Sequence, residues 1–312
     1  MFNPAPCRPC RPFLVRSLSI SFLFVIIIQS IAVAAGKSRP FSETERHYLI
    51  SILAGERFEP SFLHGVFNDQ RLKKFPVAVA KNVHNKENQR DYNGFYSAYS
   101  FMIAKQFQKK WRTLLKNASE TFNVDQEVLV AILLVETGLG NVLGRYPVIS
   151  VFSSILVEYK QTHEQYSKRA YLSSEQSYKI RRLTEKAQWA RKELIALLTI
   201  VEETEINPFQ LRGSFAGAFG IPQFLPSSYV KWGVDSDQNG SVNLFLVPDA
   251  VYSTANYLKA HGWKKGLYRE SNKDVIYKYN KSEIYVDTVL NIARKIKASR
   301  KPETKQSQEQ TG

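Results

Sequence analysis

The spacing of apolar and polar positions predicts a succession of helices along most of this chain. Phe41-Ser42-Glu43-Thr44-Glu45 opens the first, with Ser42 at the N-cap and Glu45 three residues on, the spacing of a capping box. Residues 36–40 ahead of it read as a short linker, and 41–118 reads mostly helical. The polar stretch from Asn82 to Asn93 predicts an exposed loop, followed by a helix from Tyr96 to Ser119. Then comes Val128-Leu129-Val130-Ala131-Ile132-Leu133-Leu134-Val135, the most apolar segment after residue 36. A helix apolar on nearly every face is a buried helix. Its β-branched residues also suit a strand, but its length and the capping-box spacing of Asn123 and Gln126 favour helix. Further helices are expected over 148–160, 173–205, 250–261 and 283–297. Residues 211–248, rich in Gly, Pro, Ser and Asn, read as loop. The polar tail from Ser299 to Gly312 is expected to be disordered. The fold class is mainly α.

One apolar run stands apart from this pattern. Arg8, Arg11 and Arg16 precede a stretch from Leu18 to Ala35, unbroken from Phe22 to Ile28, that ends in Ala32-Val33-Ala34-Ala35-Gly36. A basic start, an apolar centre and a small-residue end make residues 1–35 a secretory signal peptide. With Gln29 and Ser30 interrupting it, the run is marginal for a membrane span. An uncleaved signal anchor in the inner membrane is the alternative. The two cysteines, Cys7 and Cys10, fall before the run, so the mature chain would have no disulfide and no cysteine nucleophile. No cysteine follows the run to take a lipid anchor.

Composition adds a bias in partner. The formal net charge is +15, and loss of residues 1–35 removes three arginines and no acid, leaving +12. A basic surface favours anionic partners in general. Lys and Arg are scattered, with no long run and no nucleic-acid module, and an export signal disfavours a nucleic-acid binder further. The many tyrosines suit a carbohydrate groove and suit ordinary packing as well.

Three features carry candidate chemistry. Glu136 ends the apolar segment, just before Thr137-Gly138. A carboxyl drawn into apolar surroundings is harder to ionise, which is what a general acid for glycosidic cleavage requires. The same pattern suits a carboxylate that turns to solvent at a helix end. The second feature is Gly213-Ser214-Phe215-Ala216-Gly217-Ala218-Phe219-Gly220-Ile221-Pro222-Gln223-Phe224-Leu225-Pro226-Ser227-Ser228-Tyr229. Its glycines would let backbone approach a ligand, and Ser214, Gln223 and Ser227 have groups for sugar hydroxyls. A long structural loop is the alternative. The third is Asp235-Ser236-Asp237-Gln238-Asn239-Gly240-Ser241-Val242-Asn243, with oxygen side chains at positions 1, 3 and 5, glycine at 6 and a hydrophobic residue at 8. That is the pattern of an EF-hand calcium loop, except that position 12 is Leu246; Asp249 at position 15 is placed to close the site instead. An Asx-rich turn without metal is the alternative.

Taken in order, these motifs resemble one family. Val135-Glu136-Thr137, the 213–229 run, Ala255-Asn256-Tyr257-Leu258-Lys259-Ala260-His261-Gly262-Trp263 and Tyr279-Asn280-Lys281-Ser282-Glu283-Ile284-Tyr285 look like the lytic murein transglycosylase B family, glycoside hydrolase family 103. The resemblance covers residues 119–297 and fades over 41–118. It implies a lysozyme-like transglycosylase core over 119–298, with an additional N-terminal helical region over 36–118 and an EF-hand-like loop. It implies that Glu136 is the catalytic acid and base, and that Ser214, Gln223, Tyr257, Tyr279, Asn280 and Tyr285 bind substrate. Asp235, Asp237, Asn239, Ser241 and Asp249 would hold a structural calcium ion, with no cofactor for catalysis. The expected partner is the glycan strand of peptidoglycan, the expected place the periplasm, and the expected state a monomer. Two departures stand out: Ile221-Pro222 replaces an aromatic and a glycine, and the acid near position 12 of the metal loop is missing.

The resemblance further implies cleavage between N-acetylmuramic acid and N-acetylglucosamine without water, giving 1,6-anhydro ends. A hydrolytic muramidase on the same scaffold would need a second carboxylate across the cleft, with Glu158 and Glu203 as candidates. A non-catalytic wall-binding protein would bind glycan and leave it whole.

Overall fold

The helical succession is realised as β1 (Arg39–Pro40), α1 (Glu43–Ser51), α2 (Pro60–Phe67), β2 (Lys73–Lys74), α3 (Pro76–His84), α4 (Ala98–Lys110), α5 (Arg112–Phe122) and α6 (Gln126–Thr137). It continues through β3 (Tyr146–Pro147), α7 (Val148–Tyr166), α8 (Ser174–Thr204), β4 (Arg212–Gly213), α9 (Pro226–Trp232), α10 (Val247–Ala260), α11 (Ser271–Tyr279) and α12 (Glu283–Ala298). The structure is a computed structural model and describes residues 37–84, 88–204 and 206–299. The expected signal peptide, and the expected disordered tail beyond Ser299, lie outside the described residues.

The apolar segment becomes α6. Val128 to Leu134 are each no more than 1% exposed. The reason is that α4, α5, α10 and α12 all pack against this one helix, so its 128–134 stretch presents no face to water. Each of its fully buried Val, Leu or Ile side chains contributes about 1.5–3 kcal/mol by leaving water. α7 and α8 form the other large helix pair. α8 buries Leu183, Ala187, Ala190, Leu194, Leu197 and Val201, at spacings of three and four, and of its charged residues it buries only Glu193.

The N-terminal segment is tied down more firmly than a linker. β1 pairs antiparallel with β2, Arg39 opposite Lys74. The expected capping box of α1 is present: Glu45 N–H donates to Ser42 Oγ (3.2 Å) and Ser42 N–H donates to Glu45 (2.7 Å). Arg39 donates twice to the same carboxylate (2.6 and 2.8 Å), and Gln161 of α7 adds a third side-chain bond (2.8 Å). Burial pushes the Glu45 carboxyl up, but Arg39, the Ser42 N–H and Lys74 outweigh it and bring it down to about 2. A lowered folded-state pKa gives stability that is present above about pH 4.5 and is lost as the pH falls towards 2. Glu45→Gln is therefore expected to cost about 2 kcal/mol at neutral pH, after screening at the half-exposed Arg39. The cost should shrink towards zero at about pH 2. Urea midpoints at the two pH values measure this, and an equal loss at both contradicts it.

Three sequence expectations are corrected. The stretch from Asn82 to Asn93 is not one exposed loop. Asn82 and Val83 are buried in α3, and Tyr92 is buried after a 3-10 turn. Asn82 Nδ2 donates to Ala78 O (2.9 Å) and Phe215 O (2.7 Å), so its polarity serves an internal bond. The expected helix from Tyr96 to Ser119 is two helices, because Trp111 leaves helical geometry (φ −109°, ψ 27°) with no Gly or Pro to announce it. Asn123 does not cap α6; it ends α5 in the left-handed region (φ 54°), which asparagine tolerates. Asp125 takes the N-cap position, and its carboxylate is used on Trp263 Nε1 (3.1 Å) and Gly266 N–H (2.7 Å).

Candidate active site

α6 stops because Gly138 adopts a left-handed conformation (φ 58°) just past Thr137. That stop puts Glu136 in the last turn, half-buried, at the end of a helix buried along most of its length. Tyr285 O–H donates to Glu136 Oε1 at 2.6 Å. Tyr285 sits in the first turn of α12, where its N–H donates to the N-cap Ser282 (3.3 Å). It is 1% exposed, and α12 packs along α6. Burial first, and then the nearby Glu136 charge, push the Tyr285 hydroxyl well above the ordinary tyrosine range. It is a neutral donor at any working pH.

Tyr279 stacks on Tyr285 with centroids 6.3 Å apart and planes 10° from parallel. Its hydroxyl donates to Pro222 O (2.6 Å), and burial with the Glu136 charge raises its pKa too. Tyr257 packs edge-on to Tyr279 (4.8 Å) and flat on His261 (3.9 Å). It is 6% exposed, donates to Lys278 O (2.8 Å) and is pushed up to about 12 by burial. Asn280 follows α11 in extended backbone (φ −138°, ψ 121°), half-buried, and links Tyr279 to α12.

The Gly-rich segment closes on the same place. Ser214 N–H donates to Ala218 O (2.8 Å), and its Oγ accepts from Ala218 N–H (3.3 Å). Gln223 has a positive φ (50°) and donates to Gly220 O (2.9 Å) and Leu143 O (3.4 Å). The room left by the glycines is filled by the protein itself, which corrects the sequence expectation. A Cβ on Gly217 would lie 2.4 Å from the Phe152 ring, and one on Gly213 would lie 2.0 Å from Ala218 O. Ser227 is also engaged internally, its N–H and O–H donating to the buried Glu193 (3.0 and 2.8 Å). Burial raises the Glu193 carboxyl.

Three contacts draw these segments together: Tyr285 to Glu136, Tyr279 to Pro222, and Thr137 Oγ1 to Ile221 O (2.8 Å). Thr137 also accepts from Gly140 N–H (3.0 Å). Sequence reasoning quoted Thr137 within the Val135-Glu136-Thr137 motif but gave it no role of its own. It also missed Tyr92, which meets Tyr285 edge-on at 6.4 Å from within a segment that reads as polar loop. Both candidate second carboxylates are paired with cations of other elements, Glu158 with Lys74 and Lys179 and Glu203 with Arg57.

Asp235 and Asp237, in the loop between α9 and α10, and Asp249, in the first turn of α10, bring carboxylate oxygens within 4.8 Å of one another. Asp249 is buried and accepts from Ser236 N–H (2.9 Å), Ser236 O–H (2.7 Å) and Asn243 N–H (2.7 Å). Asp235 accepts from Gly240 N–H (2.7 Å), and Asn239 accepts from Ser241 N–H (3.0 Å) and its hydroxyl (2.9 Å). Leu246, at position 12, is half exposed. The donor set is hard oxygen, which fits calcium. The loop's far end reaches the active site, because Ile221 N–H donates to Leu244 O (2.8 Å).

Comparison with known proteins places this arrangement. Residues 44–270 match the transglycosylase SLT domain family. Membrane-bound lytic murein transglycosylase B of Escherichia coli is 32% identical over 160 residues, 51% of this chain and 38% of that protein. The chain thus matches well under half the length of that relative. Among solved structures, the Escherichia coli lytic transglycosylase Slt35 in complex with calcium superposes with a TM-score of 0.64 at 21% identity, over 82% of this chain and 93% of that one. SltB3 from Pseudomonas aeruginosa in complex with NAG-anhNAM-pentapeptide gives 0.66 at 20% identity, over 82% and 79%. The fold is the lysozyme-like transglycosylase fold of these structures.

Proposed function

The chain belongs to the transglycosylase SLT domain family, and on that premise we propose that it is a lytic transglycosylase of peptidoglycan with Glu136 as its acid and base. The observation that carries the reading is one half-buried carboxylate held by a neutral tyrosine, with both rival carboxylates paired elsewhere. Protonated Glu136 gives its proton to the glycosidic oxygen between N-acetylmuramic acid and N-acetylglucosamine, and the bond from that oxygen to the muramoyl C1 breaks. The muramoyl 6-hydroxyl then attacks C1 and passes its proton to the Glu136 carboxylate. The products are a free 4-hydroxyl and a 1,6-anhydro ring, and the enzyme returns to its starting state. Ser214, Gln223 and Asn280 face the sugar, Tyr279 sets its platform, and the enclosed Tyr257 backs the Tyr279 ring from behind. Incubation with purified peptidoglycan tests the reading: soluble fragments with anhydro ends support it, reducing ends indicate a hydrolase, and no fragments indicate a binding protein.

Tyr285 fixes the carboxyl that does this work twice. Tyr285→Phe keeps the ring packing and removes the bond, and is expected to lower kcat about tenfold to a hundredfold with little change in KM. Turnover of soluble glycan strands measures this, and unaltered kcat contradicts it.

Asp235, Asp237, Asn239, Ser241 and Asp249 would hold a calcium ion with a structural task only. The ion would offset two of the three negative charges of Asp235, Asp237 and Asp249 and stiffen the loop that anchors Ile221 through Leu244, and hence Thr137 beside Glu136. Millimolar calcium is expected to raise Tm by a few degrees, chelator to reverse this, and Asp249→Asn to abolish the response. A Tm indifferent to calcium in the unmodified protein contradicts the metal assignment. Residues 1–35 would direct the chain to the periplasm, by cleavage or as an anchor. Among the described residues no helix is long and apolar enough to cross a membrane.

A further inference from the structure

The β3–β4 ladder borders a cavity of about 550 Å³ that the reaction above does not use. Its floor is aromatic, made by Phe75, Tyr146 and Phe209. Tyr146 and Phe209 are buried, and Phe75 meets Tyr146 edge-on at 5.5 Å. Its rim is cationic: Lys37, Arg71, Lys73, Arg145 and Arg212 line it, and no Asp or Glu does. Arg71 is matched by Asp69 (2.7 Å). Lys73, Arg145 and Arg212 have no ion-pair partner among the described residues. Arg145 lies over the Tyr146 ring (5.3 Å), and Arg212 donates to Arg145 O (3.0 Å). The two guanidinium groups are thus held by a ring and by backbone, with their charges left for another anion. Gathering cations without a counter-charge is self-repulsive, and an anionic ligand relieves that cost.

The cavity adjoins the proposed glycan groove through the chain itself. Arg145 follows Gly144 and leads into β3, and Arg212 precedes Gly213 in β4, which pairs with β3 (Pro147 opposite Arg212, Tyr146 opposite Gly213). Gly144 packs so closely on Gly213 that an added Cβ would lie 2.2 Å from its carbonyl. Ser214 is the next residue on. A polymer with sugar at Ser214 therefore has its nearest substituents at Arg145 and Arg212.

We propose that this cavity binds the carboxylate-bearing peptide stem of the peptidoglycan strand whose sugars occupy the groove, a proposal that rests on the lytic transglycosylase reading. Arginine and lysine take the stem's carboxylates, in bidentate fashion where the guanidinium plane allows. The aromatic floor takes its short apolar side chains, and the volume is that of a small-ligand pocket. A membrane surface would meet a flat basic face more readily than a rimmed concavity.

The test compares stem-bearing strands with strands freed of their peptides by an amidase. Arg145→Glu/Arg212→Glu is expected to lower the ratio of kcat/KM on stem-bearing over stem-free strands about tenfold. Lys73→Glu, whose side chain is exposed, should lower it in the same direction and guards against misfolding of the double variant. A ratio equal to wild type in both variants overturns the proposal. If the wild type cleaves neither strand, the activity reading has failed, and calorimetric titration with the free stem tetrapeptide decides for the cavity alone. Binding that weakens about tenfold in Lys73→Glu supports it. Equal binding by both proteins overturns it, as does peptide that does not bind while phosphatidylglycerol vesicles bind in a Lys73-dependent way.

Discussion

Glu136→Gln is expected to lower strand cleavage at least about a thousandfold while leaving Tm within about 2 °C of wild type. Glutamine has the shape of glutamate and keeps a carbonyl oxygen to accept from Tyr285, so the 2.6 Å contact and the packing of α12 on α6 survive. What goes is the exchangeable proton. General acid or base assistance is worth about a hundredfold to ten-thousandfold for one transfer, and here one group serves both transfers. Substrate binding is retained, so the variant should still pull down with insoluble peptidoglycan. Turnover and thermal melting of the same preparation measure the two halves of this result. Wild-type turnover in a folded Glu136→Gln protein would remove Glu136 from the mechanism.

The largest expected effect on stability lies at Gly213. Its added Cβ would stand 2.0 Å from Ala218 O, 2.8 Å from Ala218 C and 3.2 Å from Phe219 Cα, all backbone atoms. No rotamer relieves such a clash, so the 213–219 turn must open. That turn holds the Ser214–Ala218 bond, the bridge of Gly213 to Phe219 and the β3–β4 ladder. Gly213→Ala is expected to cost about 3–5 kcal/mol, the range of severe overpacking, and to reduce activity along with it. Denaturant midpoints measure the loss. A cost below about 1 kcal/mol would mean the turn yields easily, against the close packing described here.

The parts of this fold that were legible in the sequence are those set by local pattern. Eight consecutive apolar residues announced a buried helix, and Gly138 announced where it stops. The Ser42 and Glu45 spacing announced a cap whose two bonds are both present. The site residues that lie close to Glu136 were legible through motif order rather than through periodicity. What escaped depends on distant partners. Arg39-Pro40 reads as linker until Lys73-Lys74 pairs with it. Asn82 reads as loop until Phe215 O, 133 residues on, accepts its amide. The glycines of the 213–220 run read as space for a ligand, because nothing local shows that Phe152 and Leu244 fill that space. Tyr257 reads as a groove residue, but its ring is enclosed by His261 and Tyr279 and its hydroxyl is spent on Lys278 O. Side-chain type gives candidate chemistry, and only tertiary packing decides whether the group faces a ligand or its own fold.

The central claim is that a single carboxylate, Glu136, passes one proton out and takes another back without admitting water. Cleavage of purified peptidoglycan in water enriched with oxygen-18, followed by mass analysis of the fragments, tests it most directly. The account predicts fragments with 1,6-anhydro ends, each one water lighter than its hydrolytic counterpart, and no heavy oxygen in any of them. Reducing ends that carry oxygen-18 would contradict it, because they require water, and not the muramoyl 6-hydroxyl, as the attacking group.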